Sequence, residues 1–485
     1  MTKLNGWKVG CVAFALLLTK IAAEGQTFKT LVDFDGPNGS SSRTNLVQGH
    51  DGSLYGTTES GGDDDDNYGG TVFKISPLGK LTTLYSFCSD DCAALFPGAS
   101  LAPTLQGAFY GVTREGGAYN GGTVFKITPE GKLTTLYNFC SQPHCADGSY
   151  AEAGLVLGTD GDFYGTTTYG GADPNGCNHV GCGTIFKITP DGKLTTLHSF
   201  HYSDGGYPGM LIQASDGKFY GVAEYYYPDG RFTGTVFTIT SRGAFATLHI
   251  FAPAEGGPAA LTQGIDGDFY GPTYNGGVGT YCGTTGCGSI FKMTPDGTVT
   301  TIYSFCVQQD CADGAAPYGG LVQATDGNFY GTTLSGENYG AGTLFQITPG
   351  GSLTTLHTFC SQHGCPDGAL PFGGLSQSTY GALYGTTYYG GSQYYDGTIF
   401  GLDMGLGPFV AFVVPAGRVG ATGGILGQGF SGTTSVAING IQANFKVISD
   451  TYIKATVPPG ATTGYVTVTT PTDVLTSNVP FRVIR

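Results

Sequence analysis

Of the thirteen cysteines in this 485-residue chain, twelve fall in six close pairs: Cys88/Cys92, Cys140/Cys145, Cys177/Cys182, Cys282/Cys287, Cys306/Cys311 and Cys360/Cys365. Such pairs could ligate a soft metal or oxidise. Structural zinc sites combine two pairs in one place, commonly at tighter spacing, whereas an even set of near-neighbour pairs in an exported chain reads as disulfides. The expected bridges are Cys88–Cys92, Cys140–Cys145, Cys177–Cys182, Cys282–Cys287, Cys306–Cys311 and Cys360–Cys365. Each closes a short local loop, worth about 2 kcal/mol by chain entropy.

Other residues with chemical potential are few. Asp63, Asp64, Asp65 and Asp66 are the candidate metal ligands, for Ca²⁺, a hard cation that takes several oxygen donors. Four adjacent carboxylates cannot all turn toward one ion, so a solvated loop is the expectation and no cofactor is required. Tyrosines recur in loops at Tyr68, Tyr119, Tyr169, Tyr225, Tyr226, Tyr227, Tyr274, Tyr339, Tyr389 and Tyr394. A Tyr ring offers a rigid flat face with a polar tip, so these are the candidate ligand-binding residues, with filling between loops as the alternative. Asp147, Asp204, Asp313 and Asp367 each precede Gly, which points to turn-making. His198, His249 and His357 occupy a repeat position held elsewhere by Tyr85, Tyr137 and Tyr303, which points to packing. No phosphate loop, Gly-x-Ser-x-Gly elbow or metal-spaced His pair is present, so no catalytic residue is assigned. Carboxylates from separate repeats could still meet in space.

The elements that must carry these residues repeat. A Tyr-Gly pair recurs at Tyr55, Tyr110, Tyr164, Tyr220, Tyr270, Tyr330 and Tyr384, and a Gly-Thr-x-Phe-like signature follows each, ending at Phe73, Phe125, Phe186, Phe237, Phe291, Phe345 and Phe400. Residues 320–368 parse as four strands: Leu321–Thr325, a turn at Asp326-Gly327, Asn328–Thr333, Gly342–Thr348 and Ser352–Phe359. Repeats of about this length, rich in short strands, indicate propeller blades. The fourth-strand pattern Leu-Thr-Thr-Leu-x-x-Phe occurs in six repeats and is missing after Phe400, but Phe28-Lys-Thr-Leu-Val-Asp-Phe34 has its Leu-x-x-Phe ending. A strand from the N-terminal end is therefore expected to complete the seventh sheet and remove an unpaired edge.

The resulting expectation is an all-β fold: a seven-bladed β-propeller of four-stranded blades closed by an N-terminal strand (26–404), then a small immunoglobulin-like β-sandwich (405–485). Tight turns such as Asp216-Gly217 share one face, and long loops, including all the cysteine pairs, share the other. Gln48, Gln213, Gln263, Gln323 and Gln377 hold one station on the innermost strand and predict a polar, water-filled channel; Pro103 and Leu157 interrupt them.

Composition narrows the setting. Glycine numbers 84, and charged residues are 12% where about 25% is usual, so long helices are not expected. Lys3 and Lys8, the apolar run Val9–Leu18 and the small residues near Ala22 read as a signal peptide over residues 1–25. Its removal takes the net charge from −15 to −17, which argues against nucleic acid as a partner. No later run is long enough for a transmembrane segment. Oligomeric state is not encoded legibly.

The stations Tyr-Gly-Thr-Thr, Gly-Thr-Val-Phe-Lys-Ile and Leu-Thr-Thr-Leu, recurring in order over residues 27–403, resemble the tandem GloVer repeat of exported bacterial proteins. Leu426-Gly-Gln-Gly-Phe430, Ser435-Val-Ala-Ile-Asn-Gly440 and Ser477-Asn-Val-Pro-Phe481 resemble an IPT/TIG domain. The first resemblance implies a secreted or cell-surface location, the second a spacer or interaction module. Together they lead to an expected non-catalytic protein whose irregular face binds an extracellular glycan or protein. The alternatives are a polysaccharide hydrolase or lyase using acidic residues of that face, and a structural surface protein.

Overall fold

The computed structural model describes residues 26–62, 69–87, 94–173, 176–226, 232–279, 282–336, 340–392 and 395–484. Residues 1–25, expected from sequence to be a signal peptide, Asp63–Asp66, Tyr68, the Cys88/Cys92 pair, Tyr227, Tyr339 and Tyr394 lie outside the described residues. Helix among the described residues is limited to the single turn Gly176–His179 and three 3₁₀ segments.

Seven antiparallel sheets, each with a four-strand core, follow one another along the chain. The first runs Val47–Gln48, Leu54–Thr58, Thr71–Ile75 and Leu81–Ser86 from its inner to its outer strand. In the seventh, Ser376–Gln377, Leu383–Thr386 and Thr398–Asp403 are joined by Thr27–Asp33, which pairs antiparallel with Thr398–Asp403 in the register Thr27↔Asp403 to Asp33↔Thr398.

The recurring residues explain themselves once the sheets are formed. Glycine after each tyrosine leaves room for the third-strand phenylalanine: a Cβ on Gly385 would lie 2.5 Å from Phe400 Cζ. That phenylalanine in turn meets the phenylalanine ending the outer strand of the preceding sheet. Seven such pairs occur, Phe34–Phe73, Phe87–Phe125, Phe139–Phe186, Phe200–Phe237, Phe251–Phe291, Phe305–Phe345 and Phe359–Phe400, all edge to face with centroids 5.1–5.4 Å apart. The first joins the seventh sheet to the first, so the circuit of sheets closes.

The glutamine station ties neighbouring sheets together. Each Oε1 accepts a backbone N–H from the preceding sheet: Gln213 from Thr159 (3.0 Å), Gln263 from Ser215 (2.8 Å), Gln323 from Ile265 (2.8 Å), Gln377 from Thr325 (3.1 Å) and Gln48 from Thr379 (2.9 Å). Four of the Nε2 groups donate to the glycine carbonyl of their own turn. These amides are consumed in a belt between sheets, because a buried amide without partners costs more than one shared by two backbones. The belt is missing where Pro103 and Leu157 stand.

The C-terminal segment forms two four-stranded sheets, including Thr422–Leu426 with Tyr452–Thr456 and Ser435–Ile438 with Val466–Thr469, around a core containing Ile425, Phe430, Val436, Ile453 and Phe481. It lies across the turn side of the ring, and its principal seat is at the gap in the glutamine belt. Leu105 and Leu157 pack against Val413, Leu426 and Tyr452. The Tyr452 hydroxyl donates to the Leu105 carbonyl (3.1 Å), and its ring stacks on His50 at 3.6 Å. Burial, chiefly, lowers the His50 pKa from 6.5, with Lys454 adding to the effect and Thr104 and Asp51 opposing it.

Two expectations follow from this packing. Phe34→Ala is expected to cost roughly 3–5 kcal/mol, the range for a buried Phe truncation, and to match Phe139→Ala in denaturant titrations, since both remove one member of the same sevenfold contact. Because the folded-state pKa of His50 is depressed, its contribution is present above pH 6.5 and lost as pH falls below it. Acid should therefore loosen the docked domain, read as faster proteolysis of the 404–410 connection, and His50→Phe should flatten that dependence.

Candidate functional site

On the face opposite the docked domain, the seven connections that enter the innermost strands converge on a cavity of about 600 Å³. These connections touch backbone to backbone, which is why they are glycine-rich: a Cβ on Gly319 would lie 2.7 Å from the Gly373 carbonyl, and one on Gly373 equally close to that of Thr44. Two stations supply side chains that line the cavity or contact those that do, and Asn45, Tyr169, Tyr207 and Met210 add to its lining. One stands three residues before the innermost-strand leucine and reads Arg43, Gly98, Glu152, Pro208, Pro258, Tyr318 and Phe372 around the ring. The other stands four residues after each tyrosine of Tyr-Gly and reads Glu59, Arg114, Thr168, Glu224, Tyr274, Leu334 and Tyr388.

The rim divides into two arcs. The first is charged. Glu59, only 14% exposed, pairs with Arg43 (3.0 Å) and Arg114 (3.5 Å), and Arg114 continues to Glu115 (3.5 Å) and Glu152 (3.2 Å). Burial pulls the Arg43 guanidinium down, but Glu59 and Tyr388 outweigh it and hold it above its ordinary value. The second arc is aromatic: Tyr274–Tyr318, Tyr318–Phe372, Phe372–Tyr388 and Tyr388–Tyr389 meet at 6.0, 5.8, 5.4 and 4.6 Å. Arg43 joins the arcs, its guanidinium 4.8 Å from the Phe372 ring centre and 4.5 Å from that of Tyr388. Half of the Tyr318 surface is open. Even so, lost hydration inside the concave mouth, then the Glu152 carboxylate, push its hydroxyl above the usual tyrosine range; Arg43 opposes and Glu224 adds to the rise.

Of the tyrosines singled out from sequence, Tyr169 lines this cavity, Tyr274 reaches it through Tyr318, and Tyr389 through Tyr388. Tyr119 is exposed and is not among the residues lining the cavity. Tyr225 and Tyr226 do not lie in a loop: the fourth sheet's hairpin extends through them, pairing Tyr225 with Thr233 and Tyr226 with Phe232. Arg43, Glu59, Arg114, Glu152, Glu224, Tyr318 and Phe372 were not singled out. Their signal is variation at two fixed stations of repeats that otherwise agree.

The aspartates before glycine are structural. Asp147, fully buried, accepts from Tyr137 Oη (2.7 Å) and the Ser141 and Gln142 amides; Asp313 and Asp367 accept from Tyr303 (2.8 Å) and His357 (2.9 Å), and Asp204 pairs with His198 (3.0 Å). This explains why Tyr and His interchange at one position: either reaches the same carboxylate. The structure bonds Cys140 to Cys145, Cys177 to Cys182, Cys282 to Cys287, Cys306 to Cys311 and Cys360 to Cys365. Among the described residues the one cluster with metal-ligand proximity is Cys282, Cys287 and Cys306, whose sulfurs are spent in disulfides.

A closed set of repeated four-stranded sheets carrying a β-sandwich on its turn side defines an all-β tandem-repeat protein. Residues 17–178 and 175–400 match the Gloeobacter/Verrucomicrobia repeat and residues 412–483 the IPT/TIG domain; the chain belongs to the Gloeobacter/Verrucomicrobia repeat family and carries a TIG domain. No curated protein matches it. Similar solved structures include the periplasmic gluconolactonase of Pseudomonas aeruginosa (14% identity, TM-score 0.44, covering 73% of this chain and 97% of that one). A Xanthomonas campestris gluconolactonase (11%, 0.39, 68% and 89%) and a Lactobacillus plantarum protein (18%, 0.41, 65% and 84%) are also similar. Likeness at this level assigns no chemistry to the cavity.

Glu59 is the shared anion of the charged arc. Glu59→Gln is expected to cost roughly 1–3 kcal/mol in urea unfolding, since it removes the carboxylate shared by two half-buried guanidinium groups. Glu115→Gln, which removes one peripheral contact, is expected to cost less than about 1 kcal/mol.

Proposed function

We propose that this is an exported, non-catalytic binding protein in which the seven sheets are the blades of a closed propeller, residues 26–404, and the cavity on its loop face receives an extracellular glycan. The observation that carries this reading is a single concave mouth with an aromatic arc facing a charged one. Aromatic faces pack against the apolar C–H face of a sugar ring, and carboxylates and guanidinium groups exchange hydrogen bonds with its hydroxyls. Export is supported by the basic and apolar start of the chain and by five local disulfides. Among the described residues no helix is long and apolar enough to cross a membrane.

A second reading, cleavage of the glycan, draws on Glu152 and Glu224 lining the same cavity and acting on the Tyr318 hydroxyl. General acid and base groups need only spatial proximity. Release of new reducing ends or unsaturated products from a polysaccharide panel, abolished by Glu152→Gln, would favour it over simple binding.

For the binding reading, a glycan array should return a specific ligand. Tyr318→Ala and Glu152→Gln should each weaken it at least tenfold with unchanged melting temperature, while Tyr119→Ala leaves it intact. An empty array, or equal loss with Tyr119→Ala, would refute the assignment.

A further inference from the structure

We infer that the open cleft between the C-terminal domain and the inner strands of the fourth and fifth sheets binds a straight-chain fatty carboxylate, with Arg482 receiving the carboxylate. The site lies on the turn side, apart from the loop-face cavity, and stands independently of the glycan reading.

The cleft holds about 620 Å³, within the range of a small-ligand site. Ile212, Ala214 and Ile265 line it from the ring, and Pro415, Val479 and Pro480 from the sandwich. Most of the polar side chains between them have spent their hydrogen bonds. Gln213 and Gln263 are held in the belt between sheets, the Thr262 hydroxyl donates to the Leu321 carbonyl, and the Thr463 hydroxyl accepts from the Val483 amide (3.1 Å). What these walls offer a guest is mainly hydrocarbon.

Among the described residues lining the cleft, Arg482 alone is charged. Its backbone amide donates to the Pro415 carbonyl (2.9 Å), and its guanidinium lies against the fourth sheet's tight turn, where a Cβ on Gly217 would be 3.0 Å from Nη1. Asp216 of that turn is engaged by Lys218 (3.3 Å) and Tyr220 (3.0 Å). The guanidinium makes no hydrogen bond or ion pair among the described residues; burial lowers its pKa, and the more distant charge of Asp216 opposes the fall. A partly buried cation without a partner is costly, and a carboxylate is the planar acceptor that its fork of N–H groups fits. One guanidinium matches one negative charge, whereas a dianionic phosphate would bring an uncompensated charge up to Asp216.

The cleft continues beyond its own bounds, which suits a chain better than a compact molecule. It shares Thr159 and Ala416 with a cavity of about 550 Å³ over the second and third sheets, and Ile265 and Val479 with one of about 670 Å³ over the fifth and sixth. Ile265, Tyr465 and Val474, which line the latter, are exposed. A tail running from Arg482 along this course would cover apolar surface that the sandwich leaves open.

The test titrates the full-length protein with hexanoate, octanoate and decanoate, and with decanol as the uncharged counterpart, by calorimetry. Decanoate should bind once per chain and at least tenfold more tightly than decanol, with affinity rising about two- to fourfold per added CH₂. Arg482→Gln should erase the advantage of decanoate over decanol, and Arg482→Lys, which keeps the charge without the fork, should retain part of it. Ile265→Asp should weaken both ligands, while Lys187→Gln, which removes a cation paired with Asp162 of the third sheet, should leave both unchanged. Decanol binding as tightly as decanoate, or an advantage that survives Arg482→Gln, overturns the carboxylate site. Affinity that does not change with chain length overturns the acyl tail, and absence of saturable binding overturns the inference as a whole.

Discussion

The edge-to-face contact between the last phenylalanine of one outer strand and the third-strand phenylalanine of the next sheet is the interaction on which the molecule depends. A contact of this type adds about 0.5–1.5 kcal/mol beyond area burial. Its importance lies in repetition at one geometry, because each copy packs one sheet against the next. The Phe34–Phe73 pair is where the circuit of sheets is completed, and it is supplied by a strand nearly 370 residues away from the strand it pairs with. Without it the seventh sheet would present an open edge and the first an uncovered phenylalanine.

Much of this architecture was legible because it is periodic. The tyrosine-glycine and phenylalanine stations mark every sheet, and the orphan strand pattern at Phe28–Phe34 had only one place to go. The close cysteine pairs were legible for a similar reason, since spacing alone brings them together. Side chains that act between sheets were harder to read. The glutamine station reads as a channel lining because inner-strand residues face the axis, and the structure adds that each amide is long enough to reach a neighbouring backbone and join two sheets. Tyr225 and Tyr226 sit among loop-forming residues, and pairing with Phe232 and Thr233 extended a strand through them.

The rim was not legible from residue abundance. Tyrosine is common in the loops, so counting tyrosines spread attention over the whole face, whereas the charged and aromatic rim is built mainly from two positions per repeat. Those positions are identifiable only after the repeats are aligned on their leucine and tyrosine anchors, where Arg43, Glu152 and Tyr318 prove to be equivalent residues of different chemistry. A scaffold held by identical contacts is free to differ at such places, because nothing in the sheet packing reads them. The disulfides add to this separation of tasks: Cys140–Cys145 and Cys306–Cys311 stiffen connections whose buried Asp147 and Asp313 are already anchored to the outer strand.

The interruption of the glutamine belt at Pro103 and Leu157 has a geometric consequence. A run of near-equivalent sheets offers an appended domain several seats of almost equal merit, which would leave its orientation degenerate. Replacing two polar sectors by apolar ones, with His50 ready to receive Tyr452, lifts that degeneracy and indexes the domain to one azimuth. The charged and aromatic arcs on the far rim thereby acquire a fixed heading relative to the sandwich.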